Sequence, residues 1–128
     1  MRATGQRDTG PELALRSAVH RRGLRYRVHQ RPLPTSRRRA DLVFATARVA
    51  VFVDGCFWHG CPEHMTWPTS NAAWWREKID GNRQRDCETD TILEAAGWMA
   101  LRVWEHEDPE AAAERVAQRV RERVAALS

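Results

Sequence analysis

Two short runs constrain this chain more than anything else in it. Ala40-Asp-Leu-Val-Phe44 and Arg48-Val-Ala-Val-Phe-Val53 are apolar and rich in β-branched residues, and a tight connection joins them. Such runs read as neighbouring strands of a hairpin. The pair reads as the central hairpin of a mixed sheet with helices on its faces.

The rest of the chain can be arranged around that hairpin. Thr9-Gly-Pro-Glu12 has the capping-box spacing with Pro near the first helical position, so a helix starts there and Gly23 stops it. Leu24, Tyr26 and Val28 alternate with Arg25, Arg27 and His29, the pattern of a half-exposed strand, and Pro32 to Arg38 follows as a surface loop. Ser70 to Ala96 is helical in pattern, with a bend or break expected near Gly81 and a stop at Gly97. Trp98 to Trp104 reads as another strand, its two tryptophans in the core. Asp108-Pro109 opens a last helix with Val116, Val120, Val124 and Leu127 as its apolar stripe. The expected order is α-β-β-β-α-β-α, one mixed α/β domain over residues 1–128.

Composition excludes several classes. With 42% hydrophobic and 30% charged residues among 128, the chain is neither disordered nor membrane-embedded. Its apolar runs fall far short of the roughly 18 residues of a spanning helix, and no basic-then-apolar signal opens it, so a cytoplasmic location is expected. No heptad pattern or large apolar surface stripe demands a partner chain, and a monomer is expected. The formal charge is +4, but its distribution says more. Nine arginines lie between Arg16 and Arg39 with no Asp or Glu among them, a block suited to a polyanion such as nucleic acid. Arg-biased coding, with Lys78 the only lysine, accounts for the choice of cation but not for the missing acids.

Residues 55–69 lack periodicity and hold unusual chemistry. Cys56-Phe-Trp-His59-Gly-Cys61-Pro-Glu-His64 offers two thiols and two imidazoles, and His106 ends the next strand. Three cysteines without an export signal point away from a disulfide scaffold. Thiolate and imidazole in a four-coordinate set are structural zinc chemistry, and Cys56, Cys61, His64 and His106 are the expected ligands. The alternative is two buried cysteines and two surface histidines. His59 is left over, either a general base or a structural imidazole. Asp41 opens its strand either as a solvated end or as a carboxylate holding Mg²⁺. Glu12 is either the capping-box acid or a second carboxylate beside it. Cys87, on the long helix, has no task in this scheme.

Six tryptophans in this length is heavy usage. Phe57, Trp58, Trp74 and Trp75 sit near the cluster or at the start of the long helix, and neighbours on a helix cannot all face one core. They serve either as planar wedges that unstack DNA or as a small aromatic core around the loop.

Together these residues resemble the very-short-patch repair endonucleases, bacterial nickases acting at T:G mismatches. The resemblance runs from Met1 to about Glu107. Val51-Phe-Val-Asp-Gly-Cys-Phe-Trp-His59 is its most specific stretch, supported by Arg7-Asp-Thr-x-x-Glu12, Asp41-Leu-Val, Trp74-Trp-x-Glu-Lys-Ile79, Arg85-Asp86, Gly97-Trp and Val103-Trp-Glu. It implies a restriction-endonuclease-like α/β fold, a mixed central sheet flanked by helices, with a structural zinc site. It implies Asp41 as the catalytic Mg²⁺ ligand, the main-chain carbonyl of Val53 as a second, His59 as general base and Glu12 as a supporting acid. Phe57, Trp58 and Trp75 match aromatics that wedge into duplex DNA beside the mismatch, and Met1 matches a methionine entering from the other groove.

Three departures from the family pattern stand out. Asp54 occupies a position where some members carry a second active-site histidine. In the zinc set Cys61 replaces a histidine while His64 and His106 replace cysteines, with Glu63 an alternative to His64. Family members also extend upstream of the position of Met1, which implies an earlier start or a less complete clamp on DNA. The function implied is Mg²⁺-dependent nicking 5′ to a mismatched thymine in double-stranded DNA, in the bacterial cytoplasm at the nucleoid, with mismatch-repair proteins as candidate partners. The competing readings are a related nuclease with different recognition and a zinc-stabilised DNA-binding module without catalysis.

Overall fold

The computed structural model describes residues 10–34, 37–54 and 72–127. Along the chain run helix α1 (Gly10–Arg21), strands β1 (Arg27–Gln30), β2 (Ala40–Phe44) and β3 (Val49–Asp54), helix α2 (Ala72–Ala95), strand β4 (Met99–Trp104) and helix α3 (Pro109–Leu127). The strands form one sheet in the order β1-β2-β3-β4. β1 with β2 and β2 with β3 are antiparallel, and β3 with β4 is parallel. The parallel pair is connected through α2, as a parallel neighbour needs a crossover while an antiparallel one needs only a turn.

Both faces of the central hairpin are covered. Leu42 and Phe44 of β2 and Val49 and Val51 of β3 pack with Leu15, Ala18 and Val19 of α1 and with Ala112, Ala113, Val116 and Val120 of α3. Val43, Ala50 and Phe52 turn the other way, toward Leu93 of α2. The pleat makes this division, since successive side chains leave opposite faces of a strand.

The helix boundaries follow from backbone chemistry. Gly23 and Gly97 end α1 and α2 at φ values of +77° and +85°, a conformation costly to residues with a Cβ. At Gly97 the Trp98 amide donates to the Leu93 carbonyl at 2.9 Å and the Gly97 amide to Glu94 at 3.1 Å, the paired bonds of a Schellman stop. Asp108 caps α3, its Oδ2 accepting the Ala111 amide at 3.0 Å ahead of Pro109.

Four expectations need correction. α2 runs unbroken through Gly81, where a side chain would meet only the Arg85 guanidinium at 3.8 Å, and the glycine costs the long helix only about 1 kcal/mol. Leu24 to Tyr26 precedes β1 and does not belong to it, because the ladder with β2 starts at Arg27↔Val43. The stripe of α3 is buried at Val116 and Val120 but not at Val124 and Leu127, because Ala112, Ala113 and Ala117 let its first half approach α1 and the sheet. Trp98 and Trp104 are half-buried rather than core.

Candidate active site

The site grows from the end of the central hairpin. The β2–β3 ladder is registered from Phe44↔Val49 to Leu42↔Val51. Beyond it a side chain takes over: Asp41 Oδ2 accepts the Val53 amide at 2.6 Å. A strand residue turns its N–H and C=O to the same side, so the Val53 carbonyl also faces the side on which Asp41 sits. The hairpin thus brings together the two residues assigned to one metal by resemblance.

Glu12 enters from α1. It is only 2% exposed, too deep for a simple capping acid, and its carboxylate accepts from the Arg16 guanidinium one turn on. Its second partner is His29, whose Nε2 lies 2.9 Å from Glu12 Oε2. Alternation places His29 on the exposed side of its strand, yet its side chain is 15% exposed. Its Nδ1 lies 4.0 Å from Asp41 Oδ1. The backbone explains the difference. His29 has φ of 53°, a left-handed value that breaks the alternation of β1, so Val28 packs on the α1 side while His29 also reaches α1. Sequence reasoning missed His29 as a site residue. No residue pattern marks it: the structural register Val28↔Leu42 and Gln30↔Ala40 sets His29 across from Asp41.

Glu12, His29 and Asp41 each offer a ligand atom within 4.8 Å of the others. Burial pushes the Asp41 carboxyl up to about 6, with the charges of Glu12 and Asp54 adding to the rise; the Val53 amide and His29 act in the opposite direction. A carboxylate held in such a field gains from a cation. The donors on hand, a carboxylate and a facing main-chain carbonyl, are the hard oxygens that suit Mg²⁺, so the residues fit that ion.

Asp54 is buried and does not carry a bare charge into the site. Arg102 of β4 donates to both its oxygens, at 3.3 and 3.5 Å, while also meeting Asp86 at 3.4 Å and Asp90 at 2.7 Å on α2. The same guanidinium lies 4.2 Å above the Phe52 ring. Burial works against its charge, but the Asp90 hydrogen bond and the three nearby carboxylates outweigh it and raise its pKa.

The remaining sequence-predicted residues are divided. Trp75 is half-buried at the start of α2, edge-on to the exposed Trp74 at 4.7 Å, and Lys78 lies 5.6 Å over the Trp74 ring. His106 is exposed in the turn after β4. Asp54↔Trp104 is the last register pair of β3 and β4, and Glu105 N–H donates to the Asp54 carbonyl at 3.0 Å, so that turn begins beside the end of β3. Met1, Cys56, Phe57, Trp58, His59, Cys61 and His64 lie outside the described residues. Cys87 is an exposed free thiol.

The arginine block also divides. Arg16 pairs with Glu12, Arg21 and Arg22 with Glu110 of α3, Arg22 also with Glu114, and Arg38 with Glu88. Arg39 donates to the His29 carbonyl at 2.9 Å. Arg25, Arg27, Arg31 and Arg37 are exposed and meet no acid among the described residues. No helix among the described residues is long and apolar enough to cross a membrane.

Comparison with known proteins points to one family. The family described as DNA mismatch endonuclease Vsr matches residues 1–64. Type II nicking enzyme V.NaeI of Lentzea aerocolonigenes is 46% identical over 84% of this chain and 66% of its own length. Type II nicking enzyme V.XorIIP of Xanthomonas oryzae pv. oryzae is 39% identical over 84% of this chain and 77% of its own. DNA mismatch endonuclease Vsr of Escherichia coli (strain K12) is 38% identical over 82% and 66%. The chain thus spans just under two thirds of the Lentzea and E. coli proteins. Among the described residues a four-stranded mixed sheet with three helices and an acid at the end of its central hairpin, together with these relatives, lead to one conclusion: the chain belongs to the DNA mismatch endonuclease Vsr family, a family of DNA-cleaving hydrolases.

Proposed function

We propose that this chain is a Mg²⁺-dependent endonuclease that nicks one strand of duplex DNA 5′ to the thymine of a T:G mismatch. The observation that supports it most is Asp41, tied to Val53 at the end of the central hairpin and grouped with Glu12 and His29. Asp41 and the Val53 carbonyl would hold the Mg²⁺, whose chemistry is to polarise a phosphoryl oxygen and to stabilise charge on oxygen. Glu12 supports the site from α1. His59, which follows β3 closely in the chain, takes the proton of the attacking water. The P–O3′ bond breaks as the new P–O bond forms, leaving a 5′-phosphate and a 3′-hydroxyl.

In this proposal Phe57, Trp58, Trp75 and Met1 test the duplex by wedging into it. A mismatched step costs less to open than a paired one, so deformation itself supplies selectivity. Cys56, Cys61, His64 and His106 hold a structural zinc that clips residues 55–71 to the turn after β4. The cytoplasm is the proposed location.

A second reading keeps the chemistry and changes the recognition. It is favoured by the two more similar of the relatives above, both called type II nicking enzymes. End-labelled duplexes with a T:G mismatch in several flanking sequences, beside matched controls, separate the two, each incubated with Mg²⁺ or with EDTA. Metal-dependent cleavage of the thymine strand at the mismatch supports the leading reading, and metal-dependent cutting of matched duplex supports the second. The Asp41→Ala variant should bind DNA and fail to cleave. If it nicks like the parent protein, the assignment of the site is wrong.

A further inference from the structure

We infer that His29 is a positioning residue of this active site, one that couples Glu12 to Asp41 and holds the Glu12 carboxylate where catalysis uses it. The inference rests on Asp41 being the centre of the nuclease site. Three observations carry it. The ring lies between two acids of different elements, 2.9 Å from Glu12 Oε2 on α1 and 4.0 Å from Asp41 Oδ1 on β2. The backbone is bent to put it there, with φ of 53° inside a strand, and Arg39 donates to the His29 carbonyl at 2.9 Å at the bend. A non-glycine residue persists in that conformation only where its surroundings over-determine it.

The third observation is Arg16. Its Nη2 lies 3.0 Å from His29 Nε2 and also bonds Glu12. With Nε2 protonated, the ring donates to Glu12. With Nε2 bare, it accepts from Arg16 and turns Nδ1–H toward Asp41. Either tautomer ties the ring into the Glu12–Arg16 pair, so the role needs no change of protonation. Removing the ring takes away the imidazole that spans Glu12 and Asp41, while the pair of Glu12 with Arg16 along α1 remains. The carboxylate then loses its link to Asp41.

The test is steady-state nicking by His29→Ala, His29→Phe and His29→Gln, with Glu12→Ala alone and combined with His29→Ala. Outer partners of metal ligands cost about 10- to 100-fold when removed. We expect His29→Ala and His29→Phe to lose roughly that much in kcat, with KM for DNA within about twofold and unchanged melting temperature. His29→Phe keeps the ring bulk without its nitrogens, so it stands if the alanine variant folds poorly. His29→Gln, which restores a donor and an acceptor, should recover most of the loss. The double variant should be no worse than Glu12→Ala, because two residues acting as one unit are not additive. Parent-like kcat in His29→Phe, or additive losses in the double variant, would overturn the inference while leaving the site intact. Full activity in Asp41→Ala, run alongside, would overturn the site and the inference together.

Discussion

Asp41 is stabilised less as an anion than as an acid. Its carboxyl titrates near 6 instead of the usual 3.8, mainly because it is buried and also because Glu12 and Asp54 are near. A raised folded-state pKa means that the native chain holds the proton more tightly than the unfolded one. The stabilisation is therefore complete below about pH 4 and disappears as pH rises through 6. About two pH units correspond to roughly 3 kcal/mol at most. Asp41→Asn keeps an oxygen for the Val53 amide and removes the charge. In EDTA it should melt several degrees above the parent at pH 7.5, and the gap should close near pH 4. A variant that is less stable at pH 7.5 would show that the Val53 bond needs the anion and outweighs burial. Asp41 was legible in the sequence as an acid at the head of an apolar strand. His29 was not, because its role depends on a backbone bend and on pairing across two strands, and residue types alone encode neither.

At the scale of elements, most boundaries were legible because local chemistry writes them: Gly23 and Gly97 in left-handed turns, Asp108-Pro109 at a helix start, unbroken apolar runs for β2 and β3. What holds α2 was not legible. Few of its side chains are buried, Ile79, Asn82, Thr89 and Leu93 among them, and only Leu93 joins the cluster under the sheet. A further tie to the sheet is Arg102, reaching from β4 to Asp86 and Asp90 while it neutralises Asp54 on β3. Removing one partner from a buried ionic group strands the others, at a cost of about 3 kcal/mol. Arg102→Leu should lower stability to urea by about that amount. Amide exchange should rise most along the middle of α2, with α1 and α3 still protected. Exchange rising equally in all three helices would mean that Arg102 supports the whole fold and not this one contact.

Over the whole molecule, the arginines include those that pair with acids of α3 and those that meet no acid among the described residues. An acid-free run of arginines reads as one polyanion surface, but Arg21 and Arg22 spend their charge on α3, where Glu110 lies 88 residues beyond Arg22. No local pattern announces a partner so far along the chain. Arg25, Arg27, Arg31 and Arg37 lie on β1 or in the segments flanking it, at the edge of the sheet. Arg27 pairs with Val43, two residues from Asp41 along β2, so an edge-bound phosphate backbone would pass close to the site. Phosphate contacts announce themselves in salt dependence, each adding about 0.9 to the slope of log K against log salt on duplex DNA. Replacing these four by alanine should reduce that slope by about 3.6 and weaken binding to matched and mismatched duplexes alike, since phosphates carry no sequence. Replacing Arg21 and Arg22 should leave the slope unchanged and cost only a little stability, as exposed ion pairs do. Equal losses of slope in the two variants would mean that both ends of the block touch DNA, and that the pairs with α3 open when it binds.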